Sequence, residues 1–454
     1  MSIKPSIPKG TRDYHPNLVS KRNYIIQKLK DNFMRFGYHE IQTPSFEKSN
    51  ILKGNYGKEG DRLIFNILNS GEKVKKANIN SLREDNLIEF VNSISDKALR
   101  YDLTVPLARY VSQYQNEIKF PFKRFQIQNV WRADRPQKGR FQEFTQCDAD
   151  VIGSDSILNE IEMINIYVKS LNDLGLKNLE LKINHRGILN SISKKIELNS
   201  QFKKFMIILD KTDKIGQENV IKELVESLNL KDKYIEDLKF IFSSKSNSDI
   251  LEFIEKQYII DEDSKSAFNQ LKTIKDFYDL NSYDHINISF DLSLARGLDY
   301  YTGIILEISS NNYKEIGSIG GGGRYKDLTK RFSSLDLSGI GISFGLERIY
   351  YILENDSLFP DTLDQQNEIL VLNFGIEYIK KLDHVINYFR KSQNLMIYPD
   401  ESKISKQFSY ADHYKFRSVM IFGKDEYDKN IFKIKNLESG NEKIFNISNF
   451  KKFN

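Results

Sequence analysis

Between Phe122 and Gly153 the chain alternates polar and apolar side chains on both sides of a short basic loop, and no other segment constrains the fold as tightly. Successive side chains of a strand point to opposite faces. Arg124, Gln126, Gln128, Val130 and Arg132 therefore share one face, and Phe125, Ile127, Asn129 and Trp131 share the other. After the loop Arg135-Pro136-Gln137-Lys138-Gly139-Arg140, the set Arg140, Gln142, Phe144, Gln146, Asp148 and Asp150 falls opposite Phe141, Glu143, Thr145, Cys147, Ala149 and Val151. The pattern predicts an antiparallel pair of long strands. A face bearing cations, a ring, amides and two carboxylates suits a polar ligand, whereas a bland hairpin would turn the same face to water.

At 454 residues the chain has room for two or three domains, each with its own core. A hydrophobic content of 40% with 28% charged residues is that of a packed globular chain. The most apolar glycine-containing stretch, Gly339 to Leu353, is interrupted by Glu347 and Arg348, so no membrane span is expected. The opening Met1-Ser2-Ile3-Lys4-Pro5 lacks the apolar core of a signal peptide, and the single Cys147 excludes an internal disulfide or a cysteine-rich zinc site. The six histidines form no ligand-spaced cluster, so no structural metal is expected, and a cytoplasmic location fits best. Of the net charge of +5, the stretch 367–454 contributes +4, which suits either a polyanion-facing module or a solvated lysine-rich surface.

Apolar spacing predicts an amphipathic helix from Lys21 to Phe36, closed by Gly37. The strand-like Tyr38 to Thr43 then runs into Pro44, which places it at a sheet edge, a bulge or a chain exit. Residues 69–97 read as a loop followed by a short helix. From 187 to 283 the pattern is helical and charged, with a net charge of −2, and reads as an inserted domain. Strand character resumes at Ile286 to Phe290. Residues 360–366 read as a linker to a separate α/β domain at 367–454.

Three further segments carry candidate chemistry. In Leu99-Arg100-Tyr101-Asp102-Leu103-Thr104, Asp102 and Thr104 would grip an ammonium group or cap the following helix. Arg296-Gly297-Leu298-Asp299-Tyr300-Tyr301 is followed by four glycines, Gly320 to Gly323, and then Arg324-Tyr325. Such a tract permits close approach of backbone to a ligand, a tight turn or a flexible loop. It matches neither a Walker loop nor a dinucleotide fingerprint. Gly339 to Arg348 reads as a strand entering a helix, and Arg348 sits where the helix dipole favours an anion. A phosphate, a stacked base or an ion pair with Glu347 or another acid would each account for it.

Together these segments resemble the histidyl-tRNA synthetases, a family of class II aminoacyl-tRNA synthetases. The resemblance runs from Lys9-Gly10-Thr11-Arg12-Asp13 through Arg348 and extends into the C-terminal domain. Pro44 fits class motif 1, Arg132 to Asp150 fits motif 2, and Gly339 to Arg348 fits motif 3. Arg296 to Tyr301 and the Gly320 tract fit the two histidine-specific segments. The implied fold is α+β: an antiparallel-sheet catalytic domain (1–186 and 284–359), a helical insertion (187–283), a linker (360–366) and an α/β anticodon-binding domain (367–454). The implied substrates are L-histidine, ATP and tRNA(His), with Mg2+ on the ATP phosphates and a homodimer built on motif 1.

By the same resemblance, Arg132 and Arg296 would serve catalysis, Arg296 also touching the histidine carboxylate, and Arg348 and Phe144 would sandwich adenine. Asp102, Thr104 and Gln146 would bind the histidine ammonium, and Asp150, Tyr300, Tyr301 and Tyr325 would line the imidazole pocket. Arg135 and Gln137 would meet the acceptor end of tRNA, while Lys403 and Lys406 would face RNA or solvent. Two departures stand out. Asp134 occupies the place of the usual motif 2 glutamate, leaving the magnesium ligands unassigned, and Asp150 stands where many members carry glutamate. The runner-up reading is a catalytically inactive regulatory subunit that binds histidine and a partner enzyme; a nucleic-acid-binding scaffold ranks below it.

Overall fold

The computed structural model describes residues 3–135, 141–242, 245–279, 283–295, 301–326, 329–330, 332, 336–364 and 368–450. Backbone contacts divide the chain into two units, one of residues 1–15 with 22–358 and the other of residues 16–21 with 359–454.

The amphipathic helix spans Pro16–Arg35, belonging to the first unit from Arg22 on, and starts earlier than its apolar spacing predicts because a proline in the first turn has its φ already set for helix. Its Ile25, Leu29 and Phe33 are fully buried. Strand β1 (His39–Glu40) follows, then a small sheet of β2 (Phe46–Lys48), β3 (Asn66–Ile67) and β4 (Lys97–Leu99). Between β3 and β4 lie two helices, Ile79–Arg83 and Leu87–Ile94, where one was expected. Each is capped by an asparagine, Asn78 and Asn86, whose side chain accepts a backbone N–H three residues on.

The principal sheet takes β1 and seven longer strands: β5 (Phe122–Trp131), β6 (Glu143–Ile152), β7 (Leu179–His185), β8 (Ile286–Phe290), β9 (Tyr301–Ser310), β10 (Gly320–Tyr325) and β11 (Gly339–Gly345). Their order is β1-β5-β6-β11-β10-β9-β7-β8. All pairings are antiparallel except β1 with β5 and β7 with β8. β1 is thus an edge strand, where a following proline costs no ladder hydrogen bond. The described helices between β7 and β8 run from Arg186 to Asp279.

The Gly320 tract is neither a loop nor a turn but an internal strand. A Cβ on Gly341 would lie 2.0 Å from Asp150 Oδ1, and one on Gly339 would lie 2.4 Å from Tyr325 Cε2. These glycines make room for protein side chains lying flat across β10 and β11.

The two faces of the sheet differ sharply. Phe125 and Phe344 pack against Phe33 with ring centroids 5.3 and 5.9 Å away, and Tyr167 of helix Leu158–Asp173 lies 4.8 Å from Phe344. Cys147 is fully buried on this face, which pushes its thiol far up and leaves it a packing residue. The opposite face of β5 and β6 is polar.

The second unit has its own sheet of β12 (Ile369–Val371), β13 (Leu395–Ile397), β14 (Ser418–Ile421), β15 (Ile431–Asn436) and β16 (Glu442–Asn446), in the order β13-β12-β14-β15-β16. Alternation splits β12 between two cores. Val371 packs with Leu382, Val385 and Ile386 of helix Ile376–Phe389, and Leu370 packs with Ala411 of helix Ile404–His413.

Candidate active site

β5 and β6 pair Arg124 with Asp150, Gln126 with Asp148, and Gln128 with Gln146, which puts all six on one face. Arg124 is completely buried and its Nη2 lies 2.7 Å from Asp150 Oδ2. Tyr325 donates from its hydroxyl to Asp150 Oδ1 at 2.7 Å. Asp150 is therefore held from both sides, by a guanidinium and a phenol. Tyr301 pairs with Tyr325 in register across β9 and β10.

Asp102 enters from the segment after β4 and is 1% exposed. Its Oδ1 accepts from the Tyr56 hydroxyl at 2.8 Å and from Val105 N at 3.1 Å, so this oxygen caps helix Thr104–Gln113. Its Oδ2 is buried without a partner. The two roles weighed for Asp102 fall to different atoms of one carboxylate: one oxygen caps the helix and the other is left for a cation. Thr104 opens the helix and is half-buried.

The same face holds three more partnerless oxygens, Gln126 Oε1, Gln146 Oε1 and Asp148 Oδ1. Each buried, unanswered acceptor costs on the order of 1–3 kcal/mol, and native folds carry few. Burial raises the carboxyls of Asp102, Asp148 and Asp150, with Arg124 pulling each back in part. The Nε and Nη1 of buried Arg124 on this face also lack hydrogen-bond partners, and the unanswered acceptors around them suit a small cation-bearing ligand.

Arg132, at the end of β5, donates through Nε to Tyr101 O at 3.1 Å and lies 4.4 Å from the Tyr101 ring centroid and 5.1 Å from that of Phe144. The two rings hold the guanidinium by cation–π contact. Arg348 donates to Ser318 O. Glu347 binds Arg22 on the helix-covered face. Arg135 is exposed. Arg296, Tyr300 and Gln137 lie outside the described residues.

Three site residues escaped the sequence reading. Tyr56 holds Asp102, Arg124 holds Asp150, and Asp148 sits between Gln146 and Asp150. For the last two the signal was present, since both share the polar face.

The antiparallel sheet, with motif 1 at its edge and motifs 2 and 3 on its central strands, defines a class II aminoacyl-tRNA synthetase fold. Consistent with that, the crystal structure of histidyl-tRNA synthetase from a Nostoc species superposes with a TM-score of 0.79 at 25% identity, covering 98% of this chain and 97% of that one. A structure from Bacillus halodurans described as an ATP phosphoribosyltransferase regulatory subunit/histidyl-tRNA synthetase shares the fold at 20% identity and a TM-score of 0.73, covering 93% of this chain and all of that one. The family model for histidyl-tRNA synthetase matches residues 77–349. The histidine–tRNA ligase of Christiangramia forsetii is 45% identical over 444 residues, 97% of each chain, and that of Flavobacterium johnsoniae is 43% identical across 100% of this chain and 99% of its own. The chain belongs to the histidyl-tRNA synthetase family.

Proposed function

We propose that the polar face of β5 and β6 is the histidine subsite of a two-step ligase. The chain joins histidine to tRNA(His) at the expense of ATP. Histidine and ATP give histidyl-adenylate and diphosphate; the 3′-terminal ribose of the tRNA then takes the histidyl group, releasing AMP. The observation that carries the subsite is the unanswered Asp102 Oδ2, with Gln146 Oε1 unanswered on the same polar surface. An α-ammonium supplies the missing donors, assisted by Thr104. Asp150, braced by Tyr325, would accept from an imidazole N–H, with Tyr300 and Tyr301 closing the ring pocket. A side chain of similar size without that N–H forgoes the bond to this buried carboxylate, which discriminates against it.

In-line attack of the carboxylate on the α-phosphate needs alignment and charge neutralisation rather than a covalent intermediate. Arg132, backed by its two rings, and Arg296 would supply that charge, while Arg348 and Phe144 would hold adenine. Magnesium would enter on the ATP phosphates. Arg135 and Gln137 would meet the acceptor end of tRNA, and the 187–283 insertion and the 367–454 domain the rest of it. We further propose a cytoplasmic homodimer, supported by the motif 1 helix and the edge position of β1.

The regulatory-subunit reading is not favoured, because relatives matching the whole chain are ligases. Amino-acid-dependent ATP–pyrophosphate exchange with all twenty amino acids tests the activity. Exchange with histidine alone, collapsing in Arg296→Ala, is expected; folded protein that exchanges with none would restore the regulatory reading.

A further inference from the structure

Gln128 Oε1 accepts from Arg100 Nη1 at 2.9 Å and from Thr43 N at 3.2 Å, which fixes the orientation of its amide. Gln126 must then present Nε2 to Gln128 Oε1, at 2.5 Å, and to Thr43 Oγ1, at 2.8 Å. Its own Oε1 is left as an acceptor in a completely buried position. Directly opposite in register is Asp148, 3% exposed, whose Oδ1 also lacks a partner. Two buried acceptors paired across an antiparallel ladder are each in need of a donor.

Charge leads to the same requirement. Asp148 is faced by Arg124 and Gln126 of β5, by Gln146 and Asp150 of its own strand, by Ser343 of β11, its register partner, and by Asp102. Three carboxylates thus share the one guanidinium of Arg124, whose Nη2 lies 2.7 Å from Asp150 Oδ2 and whose Nε and Nη1 make no hydrogen bond.

Building on the histidine subsite above, we propose that Asp148 is a further ligand of the histidine ammonium and binds it by exchanging a proton. In the empty site the Asp148 carboxyl keeps its proton toward Gln126 Oε1. When the ammonium arrives, the carboxyl O–H bond breaks, the proton leaves to solvent, and the resulting carboxylate accepts an ammonium N–H beside Asp102 Oδ2 and Gln146 Oε1. Burial and the nearby Asp150 and Asp102 push Asp148 up to about 7, against the pull of Arg124 and the Ser343 hydroxyl, so the exchange falls in the working pH range.

Calorimetric titration of histidine into the full chain at pH 6.5, in buffers of different ionisation enthalpy, counts the protons released. The wild type is expected to release about three-quarters of a proton more than Asp148→Asn, and the excess is expected to vanish by pH 8.5. In parallel, the wild-type affinity for histidine should fall roughly tenfold more than that of the variant between pH 8 and pH 6. Difference infrared spectra of the wild type alone, with and without histidine, should show loss of a protonated carboxyl stretch at pH 6.5, a readout that survives misfolding of the variant. Equal proton release by the two proteins, or an unchanged carboxyl band, would overturn the proposal. Failure of the wild type to bind histidine at all would instead overturn the subsite reading on which it rests.

Discussion

The two faces of the same four strands, β5, β6, β11 and β10, solve opposite problems. On the helix-covered face charges are answered. Arg324 of β10 forks onto Glu160 and also donates to Ser154 O at 2.8 Å and Ser338 Oγ at 2.7 Å, and Arg22 reaches both Glu347 and Thr145. On the other face four buried oxygens and the Nε and Nη1 of Arg124 have no hydrogen-bond partner, and three carboxyls are raised above their ordinary range. A sheet can keep such a face only because its other side supplies the stability. Changes on the two faces should therefore separate cleanly into loss of fold and loss of substrate.

The largest effect is expected on the answered face. Glu160→Ala strips the 5%-exposed Arg324 of its buried counter-ion, leaving only the exposed Asp155 at 3.7 Å, and should cost about 3 kcal/mol, read as a lowered denaturant midpoint with an unchanged slope. On the unanswered face, Asp102→Asn keeps acceptors for Tyr56 and Val105 but loses the charge aimed at the ammonium. Its kcat/KM for histidine should fall about 100-fold, some 2.7 kcal/mol, with the KM for ATP unmoved.

Smaller still is the stability effect at Asp148. A carboxyl raised from 3.8 to about 7 on folding is bound to its proton more tightly in the native state, so the fold loses stability as pH rises between those values and carries the full penalty above 7. The shift corresponds to roughly 4 kcal/mol at most. Asp148→Asn removes that penalty and should stabilise the fold by about 2 kcal/mol at pH 8, shrinking to nothing near pH 4, as thermal melts across pH would show. At the exposed margin, Arg135→Ala should leave pyrophosphate exchange intact and raise the KM for tRNA only severalfold, more visibly at low salt.

What could be read from the sequence follows from the range of its physics. Alternation with a period of two survives in any strand, so β5, β6 and their polar face were legible, and with them Gln146 and Asp150. Glycines carry no such signal. The tract Gly320 to Gly323 was read as a close approach to a ligand, a tight turn or a loop, and its strand shows only in the Tyr301, Tyr325 and Asp150 side chains that lie over these glycines and those of β11. Alternation also cannot say which carboxyl a buried cation will choose. Asp148 and Asp150 read alike, yet only Asp150 holds Arg124. The longest-range pairings were illegible for a different reason: Arg22 and Glu347 are 325 residues apart, and no local pattern links them.

The most direct test of the division between the faces is the KM for histidine of Asp102→Asn in pyrophosphate exchange, measured beside its melting temperature. A KM raised about 100-fold in a protein that melts no lower than the wild type is the expected result. An unchanged KM, or a loss of activity that merely tracks a loss of fold, would contradict the assignment of this face to the substrate.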